Sequence, residues 1–377
     1  MTTNKDQEGR EIIKTQKEFF ERFIDQQNNI EARYVRLQFD LDLSSKNIKE
    51  SLGKVNIVDS VFEKSISLGK STISGNTYFT KSTILGDASF SRVTFSGIAV
   101  FANVKFTGKA YFIYSTFSKR ADFKESIFFR TAFFLGVTFS GYTYFRRAKF
   151  NENQVANFSL ATFSRKTIFE GAKFLGETKF EGVTFSEYVQ FKNAFIKSAN
   201  RETFRIIKHE FLKINNRIDA LDYHKREMKA YWRDLFQKKT KKRLPLHQWI
   251  IRLIKDFTPK KRKFFCYRLI KIFPKHIPDK GILIFNWIST NYGTNWIQGI
   301  GFTLVTAFIF YFAFLSLSNA PWSLEAYFRF LNPAHSYEFL QEFNPCDWAY
   351  MVDAFGRVFI GFGYYQTIQA FRKYKRI

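Results

Sequence analysis

This chain is poor in the residues that build catalytic and metal sites. Its 377 residues include 2 Cys, 5 His and 7 Pro. Cys266 and Cys346 have no CxxC and no paired spacing, which argues against a disulfide framework and a zinc site. His209, His224, His247, His276 and His335 form no HExxH and no close pair with cysteine, and GxSxG is missing. His209 beside Glu210 reads as helix surface. The run LGKST at 68–72 imitates the end of a phosphate loop, but that motif needs glycine where Lys64 stands. The expectation is a non-enzymatic protein with no cofactor and no metal. The N-terminus has no apolar h-region, so no secretory signal is expected.

Acidic residues are also in short supply, 33 against 59 Lys and Arg, for a net charge of +26. Such an excess calls for an acidic partner: nucleic acid, anionic lipid or an acidic protein. The charge is uneven, with net 0 over 1–54, +9 over 55–198, +16 over 199–280 and +1 over 281–377. These shifts set boundaries near 54, 198 and 280. Residues 281–324 carry no charged side chain at all.

Phenylalanine, by contrast, occurs 49 times. Between 57 and 196 large apolar residues return after alternately 5 and 6 positions, and 21 of these 26 are Phe. Phe95, Phe101, Phe106, Phe112, Phe117, Phe123, Phe128, Phe134, Phe139 and Phe145 form the repeat-core ladder at its most regular. The residue two places earlier is Ala, Ser, Thr or Val in 25 of 26 cases, Ile66 being the exception. A helix cannot use this beat, because five steps of about 100° carry successive rings to different faces. A flat strand cannot use it either, because an odd step alternates faces. A solenoid that bends at every step can. Each short strand sends one large ring inward and a small residue beside it, and coils bury the rings by stacking.

The run FSGIAVFANVKF and its continuation resemble the pentapeptide-repeat family, in a Phe-rich variant with an extra residue in alternate repeats. The resemblance implies a right-handed quadrilateral β-helix over 55–198, of roughly six coils. The eight-residue interval holding NENQVAN, 151–157, reads as a bulge that leaves one coil out of register. Helical caps are expected at both ends: an amphipathic helix over 6–31 within an N-terminal cap, 1–54, and two helices within 199–240 that break near Asn215–Asn216. The second cap resembles the helical segment following the repeats in bacterial pentapeptide-repeat membrane proteins.

Residues 241–296 read as basic amphipathic and interfacial helices. Lys238, Lys239, Lys241, Lys242, Arg243, Lys260, Lys261, Arg262 and Lys263 are candidates for contact with anionic lipid head groups. Nucleic acid is the weaker alternative. The remainder, 297–377, reads as a membrane domain of two transmembrane helices, about 297–318 and 350–371. The first is 22 apolar residues, enough to cross about 30 Å of hydrocarbon. The second contains Asp353 and Arg357, four apart and able to pair. Basic flanks on both sides place both termini in the cytoplasm and the 319–349 connection outside, in a bacterial inner membrane.

Two functions are compatible with this plan. One is a membrane-anchored scaffold or sensor whose solenoid binds a protein partner. The other is an oligomeric ion channel or membrane-perturbing effector gated by the solenoid, with Asp353, Arg357, Glu338 and Glu342 as possible pore residues. Assembly as a homo-oligomer is expected in either case.

Overall fold

The computed structural model of the chain describes residues 5–44, 51–237, 277–318 and 321–375. They divide into two compact units, Met1–Tyr223 and His224–Ile377.

The first unit is a parallel β-solenoid of about eight turns. Most of its strands are two residues long. Thr83 pairs with Val61 on one side and Lys105 on the other, and the same offset recurs from coil to coil. The strands stand in four columns. Two columns merge into a 15-stranded sheet through the seven-residue strand Lys173–Lys179, and the others form sheets of 6 and 8 strands.

The alternating beat has a backbone cause. Every five-residue step turns through a residue of positive φ, as at Lys70 (62°), Lys81 (61°), Arg92 (58°) and Asn103 (60°). The next amide closes the turn: Ser71 N–H donates to Leu68 O, and Ser82 N–H to Phe79 O, each at 3.1 Å. This is a type II turn, which demands positive φ at its third residue. The six-residue steps contain one residue more and turn without that conformation. Their corners approach the coil before them so closely that a methyl on Gly108 would overlap the carbonyl of Gly86.

All ten phenylalanines of the run from Phe95 to Phe145 are buried. Along the axis the rings stack: Phe101 on Phe123 at 5.1 Å and 4°, Phe123 on Phe145 at 4.9 Å and 3°. Across a coil they meet edge to face, as Phe112 and Phe123 do at 5.3 Å and 88°. Both arrangements suit the ring quadrupole. The small inward residues are buried beside them, and the serines among them are satisfied locally, Ser115 Oγ donating to Phe112 O at 2.8 Å and Ser126 Oγ to Phe123 O at 2.7 Å.

Two expectations about the coils need correction. The interval at 151–157 leaves no coil out of register. It lengthens one turn slightly: Ala110 pairs with Ala132 in the coil before, and Ala132 then pairs with Ala156, as Thr138 does with Thr162. The extra residues are absorbed at a corner, outside the stacked rings. The solenoid also begins earlier than 55 and has more coils than six. Strands Ile30–Arg33, Val35–Leu37 and Leu41–Asp42 already belong to it, with Ile30 paired to Val55, Arg36 to Val61 and Leu41 to Ile66. The long N-terminal helix is correspondingly short: α1, Gln16–Phe23, is capped by Thr15 and seals the end with buried Phe19. Lacking the Phe beat, residues 30–44 fill the core with Ile30, Ala32, Val35, Leu37, Leu41 and Leu43.

The outward positions are sorted by column. One column carries Thr72, Thr94, Thr116, Thr138, Thr162 and Thr184 in register, each followed two residues later by serine. At the far end α2, Arg201–Lys213, starts at Asn200, whose side chain accepts from the Thr203 amide at 2.9 Å. Its Phe204, Ile207 and Phe211 are buried, and Phe211 lies 6.3 Å from Phe191 of the last coil. Asn215, at φ 57°, separates α2 from α3, Arg217–Gln237.

The second unit contains α4 (Ile277–Thr290), α5 (Trp296–Ser318), α6 (Leu324–Phe330), α7 (Tyr337–Gln341) and α8 (Asp347–Lys375). Helices α5 and α8 run antiparallel in close contact: a Cβ on Gly299 would strike Thr367, one on Gly363 would strike Thr303, and one on Gly356 would come within 3.1 Å of Phe310. Small residues allow this approach. Among the described residues one helix, α5, is long and apolar enough to cross a membrane, where two were expected. The second expected span exists as a helix within α8, but Asp353, Arg357 and the polar Tyr364–Gln369 stretch lower its hydropathy below that of a span.

Candidate functional site

The best-defined polar site among the described residues lies inside the second unit. Asp353, near the start of α8, is 1% exposed. Its Oδ2 accepts from Arg357 Nε at 2.7 Å, the i,i+4 pairing expected on one helix face. Its Oδ1 is 2.8 Å from His335 Nε2. His335 comes from the turn between α6 and α7, where its Nδ1 lies 2.6 Å from the carbonyl of Asn332. That carbonyl can only accept, so Nδ1 carries a proton. The second ring nitrogen faces the Asp353 carboxyl. The ring is packed between Phe330, at 5.3 Å, and Phe339, at 5.5 Å and nearly perpendicular. Excluding water in this way strengthens the polar contacts inside.

The cluster ties the connection after α5 to the start of α8. No Ser, Thr or Cys nucleophile bonds to His335 in it, and no group of three His, Cys, Asp or Glu that could hold a metal occurs among the described residues. The arrangement can therefore pin two segments of the chain to one another.

Of the four residues expected together, the structure joins only Asp353 and Arg357. Glu338 is exposed on α7. Glu342 lies on the wall of a separate cleft of about 720 Å³, with Ser323, Glu325, Arg329, Phe339 and Phe343. There Arg329 bonds Glu325 at 2.7 Å and lies over the Phe339 ring at 5.9 Å. His335 was not foreseen; nothing local in the sequence marks a lone histidine as the partner of an aspartate on a later helix. Cys346 is an exposed thiol. The lysines and arginines at 238–243 and 260–263 lie outside the described residues.

The solenoid offers surfaces instead of a cavity. The column starting near Arg120 balances its own charges: Arg146 bonds Glu170, Arg147 bonds Glu125 at 3.5 Å, and Arg120 bonds Asp122 at 3.3 Å. The Arg146 guanidinium, with Lys192 and Arg147 nearby, holds the Glu170 carboxyl below its usual range against a smaller opposing effect of burial.

Residues 57–105 and 101–149 match a family model described as pentapeptide repeats (9 copies). No curated protein and no solved structure matches the chain. Repeat, register and stacked core agree, and the solenoid is a pentapeptide-repeat β-solenoid.

Proposed function

We propose that this chain is a membrane-anchored, non-enzymatic scaffold or sensor. In this reading the helical unit holds the solenoid at the cytoplasmic side of a bacterial inner membrane, where its outward columns receive a macromolecular partner. The observation that carries it is the outer surface of α5 and α8. Ile297, Val305 and Phe312 on α5, with Trp348, Phe355 and Val358 on α8, are each more than half exposed. A water-soluble monomer seldom shows so much contiguous apolar surface, whereas a bilayer accepts it. Helix α8 then lies beside α5 at membrane depth, with Asp353 buried and held by His335 and Arg357 and its apolar side chains turned out. The scaffold role is supported by the division of labour in each coil: inward positions pack, and only outward ones remain for recognition.

The test uses full-length protein in cells, with a photo-crosslinking residue placed in turn at Lys149, Tyr111, Thr116 and Tyr144, one per column. The chain is expected in the alkaline-carbonate pellet, with a discrete adduct from one column. Release into the supernatant, or no adduct from any column, would overturn the reading. A channel around Asp353 draws no support from a side chain closed into helix packing. Bilayer recordings of the reconstituted chain decide that alternative, a steady conductance altered by Asp353→Asn being the result that would favour it.

A further inference from the structure

One column of the solenoid carries lysines on its rungs that its own surface does not balance. Lys105, Ile127, Lys149, Lys173 and Phe195 stand in register on consecutive rungs. Lys149 and Lys173 are direct neighbours at a strand spacing of about 4.8 Å, and Lys105 lies two rungs away. All three are exposed, and none has an ion-pair partner among the described residues. Like charges opposite one another destabilise a sheet, so this ladder is unfavourable until an anion meets it.

The neighbours narrow the choice of anion. On the same face Leu85, Phe129 and Phe195 are 41–48% exposed. A bare phosphate polymer or an acidic peptide satisfies the lysines and leaves these apolar groups in water. An anionic bilayer surface satisfies both, since head groups take the ammonium groups while the rings enter the interfacial layer. The column of Arg120, Arg146 and Arg147 also exposes rings, Tyr142 and Tyr188, but its arginines are paired internally.

We propose that the column of Lys105, Lys149 and Lys173, flanked by Leu85, Phe129 and Phe195, docks on an anionic lipid surface. The setting rests on the anchoring reading, because a membrane-held chain keeps this face near lipid at high effective concentration. The role assigned to the basic residues at 238–263 is thus extended to the solenoid itself.

The full chain is reconstituted in vesicles of phosphatidylcholine alone or mixed equally with phosphatidylglycerol, and acylation rates of individual lysines are read by mass spectrometry. Lys105, Lys149 and Lys173 are expected to react about fivefold more slowly in the anionic vesicles, and to recover in high salt. Lys70 and Lys119, exposed at the corners that flank the opposite column of Thr72, Thr94 and Thr116, serve as references and should not change. Equal rates in the two lipids, or slowing shared by the references, would overturn the proposal. So would protection in neutral vesicles by an added single-stranded oligonucleotide, which would assign the face to nucleic acid. In a Lys149→Ser, Lys173→Ser variant, protection of Lys105 should fall, and undiminished protection counts against a shared surface. Carbonate extraction of the same vesicles reports on anchoring separately.

Discussion

Phe123 sits at the centre of the aromatic column, stacked on Phe101 and Phe145 and met edge-on by Phe112 and Phe134. Its truncation leaves a void that no neighbour can fill, since every ring is held by the coil above and below. Phe123→Ala should therefore cost about 3–5 kcal/mol, read as a lowered denaturation midpoint of the solenoid's β signal. At the corners the balance runs the other way. Lys81 is exposed and holds φ 61°, a conformation that strains a side chain by roughly 1–2 kcal/mol. Lys81→Gly removes that strain at some entropic cost, and a net gain of about 0.5–1 kcal/mol is expected as a raised melting temperature. Glu170 supplies a pH dependence. Its carboxyl is held low in the folded chain chiefly by Arg146, so its contribution is present above the ordinary glutamate range and is lost as pH falls through the folded value. Urea midpoints compared at neutral and strongly acidic pH should differ less in Glu170→Gln than in the parent; an equal difference would mean that the pair does not contribute.

At the scale of elements, the core of the solenoid was legible because each large ring marks one strand and each corner adds a fixed number of residues. The first coil escaped because its beat, at Ala32, Leu37 and Leu43, is carried by aliphatic residues and preceded by the large Ile30, Val35 and Leu41 where later coils mostly have small residues. The longer turn at 151–157 looked like a register break because sequence spacing counts residues, whereas register counts hydrogen bonds; a corner can add residues without moving a strand. For α8 the obstacle was averaging. Mean hydropathy weighs Asp353 and Arg357 the same whether they face outward or inward, and only folding of the 319–349 connection brings His335 to them. The cluster's role is testable on the element it fixes. Asp353→Ala leaves His335 and Arg357 buried without their shared carboxylate and should cost about 3–5 kcal/mol. Protease cleavage between α6 and α8 in the detergent-solubilised chain should rise sharply, while the solenoid's melting is unmoved. Unchanged cleavage would show that the clasp does not hold the connection.

At the scale of the whole molecule, the two units obey different rules. In Met1–Tyr223 the surface is organised in columns, because side chains outside the coils recur from rung to rung in register. In His224–Ile377 the polar site joins a lone turn residue, His335, to Asp353 and Arg357 of the next long helix, with no repeat to mark it, and is enclosed by rings. This difference explains why the fold of the first was readable and the site of the second was not.

The equal length of the coils before the 151–157 turn, from Ile57 onward, has an evolutionary corollary. Excising one complete period, such as 96–117, rejoins strand to strand at matching positions and leaves the turn types, the interior stacking and the chemistry of every column as before. Reach along the axis is thereby uncoupled from composition around it, and natural relatives or engineered versions are free to differ in length by whole coils while presenting the same four surfaces.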